Sequence, residues 1–251
     1  MDTLLIAIAV LPALILAYVV YKQDKVEKEP FKLLLKAFLY GCFSVIPAIL
    51  LESALSLYTP GIPILRGLYD GYIVAGCSEE LCKLMMLSLA VWKSREFNEY
   101  FDGIVYACYV SLGFACVENI SYVFGAESYI DAMSTGMVRA VLSVPGHFLF
   151  GVMMGYYFSL AKFNPDKKKD YFFKAFWIPM MWHGTFDALL MVAEDLGDNM
   201  ALTAGVLFFV FIIFDIRMWR WGVRRIRRLQ ELSKNQDNDR HNPFEGFKWY
   251  I

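Results

Sequence analysis

The stretch Gly76-Cys77-Ser78-Glu79-Glu80-Leu81-Cys82-Lys83 sets two adjacent carboxylates one helical turn from an ammonium, inside an apolar segment. On a helix both Glu79 and Glu80 reach Lys83, at i+4 and i+3. Pairing lowers the cost of placing charge in an apolar medium, but one cation does not account for two acids. The second carboxylate is left for other work. A structural ion pair explains the same three residues equally well, so the neighbours of this stretch matter.

Further ionisable groups stand on other apolar segments: Glu118-Asn119 with Tyr122, His147, and His183-Gly184 with Asp187. Taken singly, a lone acid or a lone histidine in such a setting reads as a hydrogen-bonded packing residue. The chain has only three histidines, however, and two of them, His147 and His183, lie in apolar segments. Glu79, Glu80, Glu118, His147, His183 and Asp187 fall on four segments at depths between the midplane and the outer third. Ionisable groups inside a membrane point to function by default. Sets of Glu and His are the parts from which water-activating hydrolytic sites are built.

These residues must be positioned by membrane helices. Hydrophobic residues make up 58% of the 251, and the mean hydropathy is +0.43. Apolar runs of about 20 residues, the length that crosses a bilayer, occur at 3–21, 33–57, 68–92, 101–124, 137–161, 172–193 and 200–221. The expected fold is all-α: a polytopic integral membrane bundle of about seven helices. Residues 1–222 form the membrane domain and 223–251 a basic tail. Gly67, Gly71, Ala75, Glu79 and Lys83 recur every four residues, which predicts a small-residue face for another helix. Gly151 and Gly155 predict a second such face beside His147. Pro179 is expected to bend the sixth span just before His183.

Positive charge orients the bundle. Of the 24 Lys and Arg residues, only Arg66 and Arg139 fall in segments read as external, and only Lys83 falls within the membrane. The rest lie in alternate loops and the tail, including Lys234, Arg240 and Lys248, which places the N-terminus outside and the C-terminus in the cytoplasm. The acidic loop with Glu194, Asp195 and Asp198 is then external. On this topology His147 lies about 15 Å deep from the outer surface at 1.5 Å per residue. The first span has Asp2 and no basic residue before it, unlike a cleavable signal. Glu52 reads as peripheral, at the outer end of the second span. The charged loop Asp24-Lys25-Val26-Glu27-Lys28-Glu29-Pro30 reads as a solvated turn. The five cysteines lie within spans without metal-ribbon or redox spacing, and read as small packing residues. The Arg-rich stretch from Arg217 to Arg228, with Trp219 and Trp221, is expected to hold anionic lipid headgroups rather than nucleic acid.

Taken in order, these motifs resemble the PrsW family of intramembrane proteases, distant relatives of the CAAX-processing and bacteriocin-processing membrane proteases. The resemblance rests on Glu79-Glu80 with Lys83, Glu118-Asn119 with Tyr122, His147 with Gly151, and His183-Gly184 with Asp187. The charged first loop also resembles that of the family, whereas the Arg-rich tail is outside the pattern. The CAAX proteases carry an EExxxR motif one residue longer and fit less well. The resemblance implies an endopeptidase of the bacterial cytoplasmic membrane. Its substrates would be membrane-anchored proteins such as anti-sigma factors, cut near the outer side.

On that reading Glu79 or Glu80 is the general base, with Glu79 preferred. His147, His183 and Glu118 hold a divalent metal, with zinc as the expected ion. Lys83 and Asp187 support the site, as do Asn119 and Tyr122 of the second motif. A metal-free site in which Glu and His activate water is the competing assignment. A proton- or ion-coupled transporter, or a non-catalytic scaffold, is the reading from a different class. Against a transporter stands the lack of an inverted repeat or of paired broken helices.

The charge split generates a topological prediction. A reporter fused after Ile251 is expected to read as cytoplasmic, and one inserted between Gly125 and Gly136 as external. The opposite reading at either point overturns the orientation.

Overall fold

The computed structural model describes residues 2–196 and 200–241, and no strand forms among them. Asp198, Lys248 and Ile251, together with the side chains of Asp2, Arg240 and His241, lie outside what the structure describes. The elements are α1 (Asp2–Gln23), α2 (Phe31–Leu55), α3 (Pro63–Tyr69), a π-helical segment (Asp70–Cys77) and α4 (Ser78–Val91). They continue with α5 (Asp102–Phe124), α6 (Tyr129–Val141), α7 (Ser143–Phe163), α8 (Lys168–Leu196) and α9 (Ala201–His241).

Among the described residues five segments are long and apolar enough to cross a membrane: Thr3–Gln23, Phe31–Tyr58, Asp102–Phe124, Tyr129–Phe163 and Ala201–Asp239. The third and sixth expected spans fall outside this set. The third is divided into α3, the π segment and α4, and carries Glu79, Glu80 and Lys83. The sixth, within α8, is long but carries His183 and Asp187. The polar groups that mark the site are the groups that reduce the apolar character of these two helices.

Helix α5 is the axis of the bundle. It is buried along nearly its whole length and packs against α1, α2, α4, α6 and α7. Its contact with α7 is close because both helices present glycine: a Cβ on Gly155 would lie 2.3 Å from the carbonyl oxygen of Gly103. Gly151 sits on the same face, against Cys108. This is the small-residue seam expected beside His147, and it fixes the distance between Glu118 on α5 and His147 on α7.

Several sequence readings are corrected here. The stretch 125–136, read as a loop, is largely α6, capped by Ser128, whose Oγ accepts from the backbone N–H of Asp131 at 3.2 Å. The fifth span is interrupted at Leu142, so His147 is the fifth residue of α7. Pro145 explains the interruption, since it has no N–H for the carbonyl of Val141 and its ring crowds that carbonyl.

The first loop is not solvated: Asp24 and Glu29 are 1% and 6% exposed. Glu29 accepts a hydrogen bond from the Tyr106 hydroxyl of α5, and Lys28 Nζ donates to the carbonyls of Tyr21 and Asp24. Burial pushes the Asp24 carboxyl up to about 6 and holds that of Glu29 far above the usual carboxylate range. Helix α9 does not stop at residue 222. It continues over this loop region, where Ser233 Oγ accepts from the N–H of Phe101 at 2.8 Å and Leu229 is fully buried.

Candidate active site

The site begins with a local departure from α-helix. In the π segment the spacing of aligned residues lengthens from four to five, and Gly71 and Gly76 both face α8. A Cβ on Gly71 would lie 2.7 Å from Ala188 N, and one on Gly76 would lie 3.0 Å from Gly184 N. Gly184 reciprocates, because a Cβ there would meet the Tyr72 ring at 2.4 Å. The expected four-residue row is therefore broken after Gly71. Gly76 takes the packing position expected of Ala75, and Ala75 turns instead toward a cavity that also receives Glu79.

That cavity has a volume of about 410 Å³. Glu79, Glu118, Tyr122, His147, His183 and Asp187 line it, from four helices distant in sequence. Glu80, Lys83 and Asn119 are buried behind it and do not reach its surface. Glu52, read as peripheral, lines the cavity, because the outer end of α2 lies against the π segment and α5.

At the centre is the fully buried ammonium of Lys83. Its Nζ lies 2.9 Å from Glu79 Oε2, 2.8 Å from Glu80 Oε1 and 3.1 Å from His147 Nδ1. The Phe114 ring centroid is 4.1 Å away. An ammonium only donates, so Nδ1 of His147 is an acceptor and Nε2 carries the hydrogen. Glu118 Oε2 accepts that hydrogen at 2.8 Å.

His183 is held from both sides. Its Nδ1 lies 2.9 Å from Glu80 Oε1, and its Nε2 lies 3.1 Å from Asp187 Oδ2 and 3.8 Å from Glu79 Oε2. The Phe150 ring stacks on its face at 4.5 Å, and the two imidazoles meet edge to face at 5.4 Å. The two acids of the pair thus differ. Glu80 uses Oε1 for Lys83 and His183, and its Oε2 is buried without a hydrogen-bond partner. Glu79 uses Oε2 for Lys83 and borders the cavity.

One group of His, Cys, Asp or Glu among the described residues has ligand atoms close enough for a metal. It is Glu79, His147 and His183, whose atoms lie within 4.8 Å of one another. Glu118, expected as the third ligand, is not in this group; its Oε2 accepts from Arg139 and His147. Arg139 was missed as a site residue. From α6 its Nη2 donates to Glu118 Oε2 at 2.6 Å, its Nε to Asn119 Oδ1 at 2.9 Å, and its guanidinium lies over the Tyr122 ring at 4.0 Å. The signal available is its place on the row Arg139, Ser143, His147, spaced at intervals of four, opposite an acid on a neighbouring span. Asn119 completes the brace by donating from Nδ2 to the carbonyl of Ala9 on α1 at 2.8 Å.

Known proteins bear on this arrangement. The family described as "PrsW family intramembrane metalloprotease" matches residues 29–216. Protease PrsW of Clostridioides difficile is 35% identical over 92% of this chain and 93% of its own length. The Geobacillus kaustophilus protein of the same name is 32% identical over 92% and 95%, and that of Bacillus subtilis 29% identical over 92% and 98%. No solved structure gives a significant match.

The brace around Glu118 yields a prediction. Arg139→Gln leaves Glu118 with His147 as its only hydrogen-bond donor in a largely buried position. The expected loss of stability is about 3 kcal/mol, the lower part of the range for breaking one side of a buried pair. Thermal unfolding of the purified variant in detergent measures it, and an unchanged midpoint would show that the brace is dispensable.

Proposed function

The chain belongs to the PrsW family of intramembrane metalloproteases, and from that premise we propose that it cuts a membrane-anchored protein at the cavity bordered by Glu79, His147 and His183. The observation that carries this is the asymmetry of the acid pair: Glu79 opens to the cavity while Glu80 is sealed behind it. Glu79 accepts the proton of the attacking water and returns it to the leaving amine, so the step ends with the carboxylate restored. Lys83 donates to both acids and fixes the plane of Glu79 through Oε2. Glu80 and Asp187 hold the His183 ring so that its Nε2 edge faces the cavity side, where an oxyanion develops. Glu118, with Arg139 behind it, holds His147 in one tautomer.

The residues present also suit a divalent metal. Two histidines and one carboxylate are a known catalytic zinc set, and the carboxylates on the cavity outnumber its fixed cations. Glu79, His147 and His183 would hold the ion, with His147 giving up its contact with Lys83 or Glu118 to free a ring nitrogen and Glu79 serving as ligand in place of base; the ion would supply a water of lowered pKa together with polarisation of the scissile carbonyl. Zinc is the ion of choice for this donor set.

The family resemblance supports a membrane-anchored anti-sigma factor as the substrate class. The charge distribution supports cleavage toward the outer side of the bacterial cytoplasmic membrane, with the C-terminus inside. The arginines from Arg217 to Arg228 on α9 support anionic headgroups as a further contact.

Two experiments follow. Glu79→Gln keeps size and polarity and is expected to lower cleavage of a single-span substrate in proteoliposomes by at least about a hundredfold, with normal amounts of protein in the membrane. Wild-type cleavage by this variant would remove Glu79 from the chemistry. Separately, elemental analysis is expected to find about one zinc per chain, and verified removal of the metal to stop cleavage. Full activity in metal-free protein would leave Glu79 acting as base without an ion.

A further inference from the structure

A second cavity lies at the opposite end of the bundle, and nothing in the proteolytic reading uses it. It encloses about 1120 Å³ between α2, α4 and α8, larger than the ~300–1,000 Å³ of ordinary small-molecule sites. Its walls are apolar, with Leu81, Leu84 and Leu89 on α4 and Phe172, Phe173 and Phe176 on α8. Leu81, Leu89 and Phe173 are exposed, so the groove opens sideways, toward the lipid in a membrane.

Its mouth is basic. Lys93, Lys168 and Lys169 stand there, and among the described residues no acidic one lines the groove. None of the three has a carboxylate partner among the described residues. Lys168 rests over the Trp92 ring at 4.8 Å. Lys36, also in the lining, is already occupied: its Nζ donates to the carbonyl of Ala90 at 2.8 Å. The amino end of the 29-residue helix α8 lies at the same rim and adds its positive dipole end. Apolar walls beneath unpaired cations, at the end of the bundle that charge assigns to the cytoplasm, complement a molecule with acyl chains and an anionic head. Basic recesses between membrane helices on that side hold such lipids.

We propose that this groove is a specific site for one anionic glycerophospholipid. The phosphate meets Lys93, Lys168 and Lys169, and an acyl chain lies along Leu81, Leu89 and Phe173. The site is separate from the arginine face of α9. It matters because α4 and α8, which wall the groove, also carry Glu79 and Glu80 at the other end of α4 and His183 midway along α8. A lipid seated there fills the gap between the two helices that bring the acid pair to its histidine.

The test uses full-length protein in mild detergent with phosphatidylglycerol or phosphatidylcholine of the same chains, read by native mass spectrometry and thermal unfolding. One phosphatidylglycerol is expected to be retained and to raise the unfolding midpoint, while phosphatidylcholine is not. Substituting Lys93, Lys168 and Lys169 together by Gln is expected to weaken retention about a hundredfold, at roughly 1 kcal/mol per near-surface lysine. Ser88→Trp, which fills the groove and leaves the lysines in place, is expected to weaken retention as well. Substituting Arg224, Arg227 and Arg228 by Gln is expected to leave this lipid bound. Equal retention of phosphatidylcholine, no retained lipid, or loss only with the arginine variant would each overturn the proposal. So would retention unaffected by Ser88→Trp, or competition by glycerol phosphate as strong as by whole lipid, since either would show a bare anion site.

Discussion

The ammonium of Lys83 is the constraint on which the rest depends. It is fully buried, and a charge in that position persists only if its donors are satisfied. Each of its three donors has a partner: Glu79, Glu80 and His147. Two of these come from the same helix and cost nothing in fold topology. The third comes from α7, sixty-four residues further along the chain. The need to satisfy one ammonium therefore fixes where α7 stands relative to α4, and with it the distance from the acid pair to the first histidine.

From that centre the constraint passes outward through groups that each have two commitments. Glu80 joins Lys83 to His183, and so ties α4 to α8. Glu118 joins His147 to Arg139, and so ties α7 to α5 and α6. Asn119 joins Arg139 to α1. Glycine contacts set the spacing within which these short bonds are made, at Gly155 between α5 and α7 and at Gly71 and Gly184 between the π segment and α8. A bulkier residue at any of these would part helices whose polar groups meet at under 3 Å. The packing seams and the site are thus one structure.

Much of this was legible in the sequence because membrane helices leave few choices. Apolar runs of span length must be helices, and ionisable residues within them must face protein or water. Those two rules were enough to bring Glu79, Glu118, His147, His183 and Asp187 to one cavity. What stayed hidden depends on details that periodicity does not carry. The π segment inserts a fifth residue into a turn, which no four-residue row can anticipate. Arg139 was counted as an external charge because its partner, Glu118, lies on another helix. Asp24 and Glu29 looked solvated because alternating charge is the usual sign of a surface turn, and the cover that buries them comes from α5 and α9, far along the chain. Glu52 was judged by its position along α2, when the outcome depended on which face of α2 the π segment meets.

The doubling of the acid also has a geometric explanation. Adjacent residues on a helix point about 100° apart, so two neighbouring side chains meet different surroundings. Here Glu79 takes the cavity, and Glu80 takes the buried side toward His183. Lys83, three and four residues on, lies between these two directions and reaches both. A single acid would have to choose between meeting water and anchoring the histidine of α8. The pair divides those tasks, and the shared lysine keeps the two carboxylates from repelling each other.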